Sequence, residues 1–288
     1  METFAFDALG TRFEVRTKSQ LDDGIRQELL RETQRFDWVW SRFRPDSLIA
    51  QMRANGGRWD MPAESEGLAN LYARLYRVTH GAINPWIGSS LERLGYGPHY
   101  ELVPTGPPEP APLWDDDHVW EGAAVVLAHP SVLDIGAAGK GLLVDRLGGI
   151  LDGAGHDAYV VDGSGDILHS GADPIRAALE HPYDPQEAIG IVELAQGALC
   201  ASAGNRRAWG DGFHHLLDAR TGAPVRSVVA TWAMADDAMT ADALATALFV
   251  APGPVLASEF AEADPEWLQV YSDGHAEGSE LFLEGLFS

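Results

Sequence analysis

The strongest constraint on the fold of this 288-residue chain is a change in hydrophobic pattern across a proline-rich stretch. Residues 20–40 place apolar side chains at helical spacing, whereas later runs such as Ile189–Leu194 are short, apolar and typical of strands. Six prolines between Pro98 and Pro112 separate the two patterns. We therefore predict an α+β fold built as one unit over residues 1–288, with a helix-rich part over about 1–97, a proline-rich connection over about 98–118 and a sheet-rich part over about 119–288.

Local signals predict where several elements begin and end. Asp46 or Ser47 can cap a helix that stops at the Gly56-Gly57 pair. Apolar spacing further along the chain predicts a helix over residues 253–263, and the last apolar run predicts a closing strand over Glu280–Leu283.

Composition excludes several classes of protein. The chain has 20 basic and 43 acidic side chains, a formal net charge of -23, which repels a nucleic-acid backbone. The single cysteine, Cys200, excludes an internal disulfide and a zinc site built from several cysteines. No signal-peptide pattern and no apolar run of membrane-spanning length are visible, so we expect a soluble, cytoplasmic protein without membrane insertion.

Two glycine-rich segments could approach a ligand closely. Leu133–Leu147 leads small residues into a helix beside Lys140, which favours anions, although its spacing is not that of a Walker A loop. A helix end packed tightly on a sheet explains that segment equally well. Val160–Ser170 runs a strand into a glycine turn whose amides could line a ligand, but a plain β-hairpin is the simpler interpretation.

A third segment, Cys200–Val225, concentrates polar side chains. His215 and Asp218 could act as a base and its orienting group, or as structural partners, and the residues around Asp218 could equally form a surface turn. A Ser-His-Asp hydrolase is disfavoured because the chain contains no Gly-x-Ser-x-Gly elbow.

A fourth segment, Met239–Val250, has the spacing of a helix with Asp242 and Thr246 on one face. A carboxylate and a hydroxyl are hard oxygen ligands that suit Mg²⁺. The alternative is a buried helix in which both side chains satisfy local hydrogen bonds.

Taken together, these segments follow the order and approximate spacing of one set of motifs. They are Leu9-Gly10-Thr11, Ser41–Ser47, Gly81–Pro85, Leu94–Gly97, Asp134–Gly141, Ser164–Ile167, His215–Pro224 and Ala241–Thr246. In this set the chain resembles the ApbE family, the flavin transferases that attach FMN to proteins. It departs from the family pattern at Leu9, Asn84, Asp162 and Ala219. These departures leave Asp242, Thr246 and His215 in place.

The resemblance implies an ApbE-like fold, FAD as substrate and Mg²⁺ as the metal. It implies that His215 is the general base and that Mg²⁺ is bound by Asp242, Thr246 and the backbone carbonyl of Ala137. The implied contacts with FAD come from Leu9 and Phe43 on the flavin side, from Leu94, Gly95 and Tyr96 along the cofactor, from Asp134 and Lys140 on the nucleotide side, and from Gly165, Asp166 and Leu217.

The implied reaction is transfer of FMN from FAD to a Ser or Thr hydroxyl of an acceptor protein that carries a flavinylation motif, with release of AMP. Two other functions stay open at this point. The chain could bind FAD without transferring it, or it could act as an FAD pyrophosphatase in which water replaces the acceptor.

Overall fold

The structure is a computed structural model that describes residues 2–115 and 117–287, and it is α+β, as predicted. The strands are β1 (Glu2–Ala8), β2 (Thr11–Thr17), β3 (Gly57–Asp60), β4 (His118–Glu121), β5 (Ala124–Leu127), β6 (Tyr159–Asp162), β7 (Asp166–Ser170), β8 (Ile175–His181), β9 (Asp184–Leu194), β10 (Gly197–Ala203), β11 (Ala208–Trp209), β12 (Phe213–His214), β13 (Leu217–Asp218), β14 (Ala223–Pro224), β15 (Val228–Ala235), β16 (Glu266–Tyr271) and β17 (Ala276–Gly278). The helices are α1 (Asp23–Trp40), α2 (Leu48–Asn55), α3 (Ser65–Val78), α4 (Gly88–Arg93), α5 (Gly139–Gly153), α6 (Ala238–Ala247), α7 (Gly253–Glu259) and α8 (Glu280–Glu284). Short 3₁₀ turns occupy Pro85–Ile87, Gly204–Arg207 and Ala261–Ala263.

The ends of α2 confirm the capping prediction. The Ser47 hydroxyl accepts a hydrogen bond from the Ala50 amide at 2.9 Å, which satisfies one of the amide groups left free in the first turn. Gly56, with φ of 60°, follows the last helical residue and turns the chain out of the helix.

Near the C-terminus, one predicted element was wrong and another was predicted too long. Residues Glu280–Glu284 form α8 rather than a closing strand, and only Phe282 of its three apolar residues is fully buried. A run of three apolar residues is too short for its periodicity to distinguish a strand from one helical turn. The helix predicted over 253–263 ends at Glu259 and is followed by a 3₁₀ turn, after which Asp264 has a φ of 40°.

The chain divides into two compact units, each assembled from separate segments. Unit 1 contains the described residues of Met1–Phe36, Ala137–Asn205 and Ser227–Ser288, and unit 2 contains those of Asp37–Gly136 and Arg206–Arg226.

Unit 1 is built on an eight-stranded antiparallel sheet in the order β1-β2-β6-β7-β10-β15-β16-β17. The strands β8 and β9 form a separate hairpin. Helix α5 packs on β6 and β7, and α6 packs on β10 and β15, so both helices cover the middle of the sheet.

A glycine sets the distance between α5 and α6. A Cβ atom on Gly141 would lie 2.0 Å from the carbonyl oxygen of Ala238 and 2.8 Å from the Cβ of Asp242. The two helices can therefore approach this closely only because residue 141 has no side chain. This approach brings the start of α5 next to the helix that carries Asp242.

Unit 2 combines the sheet β3-β5-β4 with α2, α3, α4 and two short ribbons, β11–β12 and β13–β14. The proline-rich stretch runs through this unit, and its described residues have neither helix nor strand between Arg93 and His118. It is held by backbone and side-chain hydrogen bonds. The Asn84 side-chain amide donates to the Pro112 carbonyl oxygen at 2.8 Å, a bond that an aspartate at that position could not donate.

Within the part of the chain that the structure describes, no helix is both long and apolar enough to cross a membrane.

Candidate active site

Helix α6 places two of the predicted metal ligands on one face in unit 1. The Asp242 side chain is buried, and its Oδ2 accepts a hydrogen bond from the Gly141 amide at 2.9 Å. Thr246 lies one turn later, and its Oγ1 is 3.3 Å from the Oγ of Ser202 on β10. Both oxygens are held in place by neighbouring elements, so the pair has a defined position before any ligand binds.

A buried ion pair lies beside this helix. The Lys140 Nζ at the start of α5 is 3.2 Å from Oδ2 of Asp166, the first residue of β7, and Asp166 is completely buried. Burial raises the pKa of Asp166, and burial together with the charge of Asp166 raises the pKa of Asp242. Burial opposes the charge on Lys140, but the two carboxylates outweigh it and raise the pKa of its ammonium group.

These residues fit a magnesium ion bound through oxygen atoms. Among the described residues, no three His, Cys, Asp or Glu side chains are gathered as a metal would require, so any ion here must rely on other oxygen ligands. Asp242 and Thr246 supply one carboxylate and one hydroxyl, which are hard oxygen donors of the kind that Mg²⁺ takes. Burial raises the pKa of both Asp166 and Asp242, so a bound cation would favour the ionised form of these carboxyl groups. Ala137, whose carbonyl is the predicted third ligand, lies two residues before α5.

Asp145 is a residue of this cluster that the sequence analysis missed. Its two carboxylate oxygens accept the amide hydrogens of Ala238 and Met239, at 2.7 and 2.8 Å, and so cap the first turn of α6. Burial raises the pKa of Asp145 to about 7, and the nearby charge of Asp237 adds to the effect. A signal was available: Asp145 is four residues after Gly141 and therefore shares its helix face.

The turn between β6 and β7 meets the turn between β1 and β2. The Thr11 hydroxyl donates to the Ser164 hydroxyl at 2.6 Å, and the latter donates to the Arg12 carbonyl at 2.8 Å. Gly165 has a φ of 102° and its amide donates to Asp162, which confirms the predicted hairpin turn. Lys140 Nζ also donates to the Ser164 carbonyl, at 3.4 Å. Because Thr11 contacts the same Ser164, the motif Leu9-Gly10-Thr11 lies close to Lys140.

A second group of predicted residues gathers in unit 2 around Tyr96. The Phe43 and Tyr96 rings contact edge to face at 5.4 Å, and Trp209 stacks on Tyr96 at 5.5 Å. Leu94 and Leu217 are buried in the same apolar cluster. Gly95 has a φ of 95°, and a Cβ there would lie 2.4 Å from the Val103 amide nitrogen, so only glycine fits.

Asp134 belongs to this second group through a buried arginine. Arg42 forms an ion pair with Asp134 through Nε, and its Nη1 donates to the Tyr96 carbonyl at 2.7 Å. Asp134 also accepts the Gly136 amide at 2.6 Å. Asp134 is therefore held both by Arg42, which precedes it in the chain, and by the amide of Gly136, which follows it.

His215 follows β12 in the same unit. Its ring centroid is 6.4 Å from that of Tyr96, and its Nδ1 is buried without a hydrogen-bond partner among the described residues. Burial, followed by the positive charge of Arg207, lowers the pKa of His215 to about 3. The imidazole is therefore neutral at physiological pH and has a nitrogen free to accept a proton.

Asp218 is not the orienting partner of His215. Its carboxylate pairs with Arg220, with Oδ2 at 2.6 Å from Nη2, and its backbone carbonyl accepts the amides of Thr221 and Gly222. The interpretation of this segment as a surface turn is correct, because the side chain is engaged by its own turn.

The predicted site residues thus form two sets, one in each unit. Unit 1 contains Leu9, Ala137, Lys140, Gly165, Asp166, Asp242 and Thr246, and unit 2 contains Phe43, Leu94, Gly95, Tyr96, Asp134, His215 and Leu217.

Comparison with known proteins identifies the family of this fold and site. The sequence model of the ApbE family matches residues 9–271, and the chain belongs to the ApbE family. It is 29% identical over 277 residues to an FAD:protein FMN transferase of Rhodobacter capsulatus, covering 85% of this chain and 50% of that protein. It is 30% identical over 237 residues to an FAD:protein FMN transferase of Haemophilus influenzae, covering 73% and 67%. The chain therefore spans half to two thirds of the length of these relatives.

Solved structures share the fold along the whole chain. The ApbE protein of Thermotoga maritima aligns with a TM-score of 0.82 and 25% identity, covering 100% of this chain and 99% of that one. The flavin transferase ApbE of Vibrio cholerae aligns with a TM-score of 0.81 and 99% coverage of each chain, and at 22% identity this similarity concerns the fold alone.

Proposed function

We propose that this protein is a Mg²⁺-dependent FAD:protein FMN transferase that modifies a Ser or Thr hydroxyl of an acceptor protein. The observation that carries the proposal is the match of the family model over residues 9–271 together with the buried pair on α6, where Asp242 and Thr246 occupy one helix face. Two relatives that bear this activity in their names support it.

The proposed step is a phosphoryl transfer from FAD to the acceptor hydroxyl. The acceptor oxygen forms a bond to the phosphorus of the FMN half of FAD, and the bond from that phosphorus to the bridging oxygen breaks. AMP leaves with the bridging oxygen, and His215 takes the proton of the hydroxyl. His215 is neutral at physiological pH, and its Nδ1 has no hydrogen-bond partner among the described residues.

Unit 1 supplies the groups that fit a pyrophosphate and its metal. Asp242, Thr246 and the Ala137 carbonyl would hold Mg²⁺, which when bound neutralises phosphate charge. Lys140 adds a positive charge beside the start of α5, and Asp166 keeps that ammonium group in place. Asp145 fixes the first turn of α6 and thereby the direction of the helix that carries the metal pair.

Mass spectrometry of an acceptor protein tests this function. Incubation with FAD, Mg²⁺ and an acceptor carrying a flavinylation motif should give an acceptor heavier by one FMN and an equal amount of AMP. An acceptor whose Ser or Thr is replaced by Ala should remain unmodified, and Asp242→Asn should give no product.

Other outcomes identify the other functions. Equal release of FMN and AMP with and without acceptor would make the protein an FAD pyrophosphatase. Bound FAD without AMP release would make it an FAD-binding protein. The cytoplasmic location stays a prediction, and cell fractionation followed by immunoblotting tests it separately.

A further inference from the structure

Arg42 is a buried cation in unit 2 with one donor nitrogen that the protein does not satisfy. Its side chain is 3% exposed. Nε pairs with Asp134 and Nη1 donates to the Tyr96 carbonyl, but Nη2 is buried without a hydrogen-bond partner among the described residues. A guanidinium has five N–H groups in a rigid plane, and a buried donor left without a partner is costly. The structural role of Arg42 accounts for two of its nitrogens and leaves the third unexplained.

Two aromatic rings contact the guanidinium group that carries this nitrogen. The guanidinium carbon of Arg42 lies 4.1 Å from the centre of the Phe43 ring and 4.9 Å from that of Tyr96. A second buried polar atom without a hydrogen-bond partner among the described residues, His215 Nδ1, belongs to a ring that also neighbours Tyr96. Two unsatisfied polar atoms therefore neighbour one aromatic ring, which is an arrangement for a planar molecule with polar edges.

The charges around Arg42 argue against a phosphate as the partner of Nη2. Arg42 is paired with Asp134, and its Nη1 is also 3.9 Å from a carboxylate oxygen of Glu92. Arg53 pairs with the same Glu92 at 2.7 Å, so these two arginines are balanced by two carboxylates. A neutral acceptor such as a ring carbonyl oxygen matches this balance better than an anion does.

We propose that Arg42 is a ligand-binding residue whose Nη2 donates a hydrogen bond to a carbonyl oxygen of the flavin ring. The inference rests on the proposed use of FAD and goes further by assigning one donor to one part of the substrate. Asp134 then acts on the flavin end indirectly, because it holds the Nε edge of the guanidinium and so directs Nη2.

Binding of riboflavin and of ADP to Arg42→Lys tests this assignment. Lysine keeps the charge beside Asp134 but cannot reproduce the fork of donors. Riboflavin affinity, measured by fluorescence quenching, should fall roughly 10- to 100-fold, the range for a hydrogen bond from a charged donor. Affinity for ADP, which has no flavin ring, should stay the same. Arg53→Lys is the matched control, since Arg53 pairs with the same Glu92, and it should bind riboflavin like the unmodified protein.

A change in the ligand tests the same bond without changing the protein. Riboflavin with sulfur in place of one ring carbonyl oxygen is a weaker acceptor, so the 2-thio or the 4-thio analogue should bind the unmodified protein more weakly. Arg42→Lys should bind that analogue and riboflavin equally. If neither analogue binds more weakly, or if Arg42→Lys loses ADP and riboflavin affinity alike, the assignment is wrong. If Arg42→Lys transfers FMN normally and binds riboflavin as before, the assignment of Arg42 is wrong but the proposed function stands. If the unmodified protein binds no flavin at all, the proposed function is wrong.

Discussion

At the residue scale, burial decides the protonation of the groups that the proposed chemistry uses. His215 has its pKa lowered to about 3 because burial and Arg207 both disfavour its charged form. Asp166 and Asp242 have raised pKa values because burial disfavours their carboxylates, and Lys140 is the cation that keeps them compatible with the fold. The same residue types on the surface would titrate at their ordinary values.

His215→Gln should make unfolding less dependent on pH below neutrality. In the unfolded chain a histidine titrates near 6.5, whereas folded His215 titrates near 3. As the pH falls through 6.5, the unfolded chain binds the proton first, so the native state loses stability. Urea unfolding should show that the unmodified protein loses about 1–2 kcal/mol relative to His215→Gln between pH 8 and pH 5. An equal difference between the two proteins at both pH values would contradict the low pKa.

Lys140→Met should destabilise the fold by leaving Asp166 buried without its cation. We expect a loss of about 2 kcal/mol at pH 8, below the usual cost of breaking a buried pair because Lys140 is partly exposed. Denaturant unfolding measures it, and the double variant Lys140→Met with Asp166→Asn should recover most of the loss. A double variant as unstable as the single one would show that the lysine acts through packing.

At the scale of elements, the positions of Asp242 and Thr246 depend on how α5 and α6 pack against each other. Gly141 permits the contact, its amide holds Asp242, and Asp145 caps the first turn of α6. Within five residues, one face of α5 therefore lets α6 pack closely at Gly141, donates a hydrogen bond to Asp242 and caps α6 through Asp145. The spacing of Gly141 and Asp145 makes these contributions possible, since residues four apart share a helix face.

Gly141→Ala should disrupt this contact, because its Cβ would lie 2.0 Å from the Ala238 carbonyl oxygen. We expect a loss of about 2–4 kcal/mol in the free energy of unfolding, as for other overpacked sites. Gly149→Ala is the control in the same helix, since nothing lies within 4 Å of its Cβ and alanine favours a helix. Its thermal midpoint should be equal or higher. A normal Gly141→Ala midpoint would show that the helices can separate at little cost.

At the scale of the whole molecule, the net charge of -23 opposes the binding of any free anion. FAD carries a pyrophosphate, so its binding requires a positive electrostatic potential at the site despite the negative net charge. Lys140 contributes one positive charge, and the oxygen ligands on α6 would add a divalent cation.

FAD affinity should consequently depend on metal. We expect FAD to bind roughly tenfold or more weakly in EDTA than in Mg²⁺, measured by flavin fluorescence. Riboflavin has no phosphate and should bind equally in both conditions. Asp242→Asn should bind FAD with the same weak affinity whether or not Mg²⁺ is present. Equal FAD affinity of the unmodified protein in EDTA and in Mg²⁺ would remove the metal from the binding step.

Local sequence by itself determined the elements whose signals lie within a few residues. The Ser47 cap, the glycine turn between β6 and β7 and the face shared by Asp242 and Thr246 were all readable in this way. The family motifs also followed from the sequence, and they named Phe43, Asp134 and His215 as site residues.

Only the tertiary structure decided how distant residues satisfy one another. Arg42 pairs with Asp134 across 92 positions, and Asp145 caps a helix that begins 93 positions later. Asp218, the nearest candidate partner of His215 in sequence, turned out to pair with Arg220 instead. Hydrogen bonding and burial depend on neighbours in space, and chain spacing does not record these neighbours. For that reason the pKa of His215 and the unpaired nitrogen of Arg42 appear only in the folded protein.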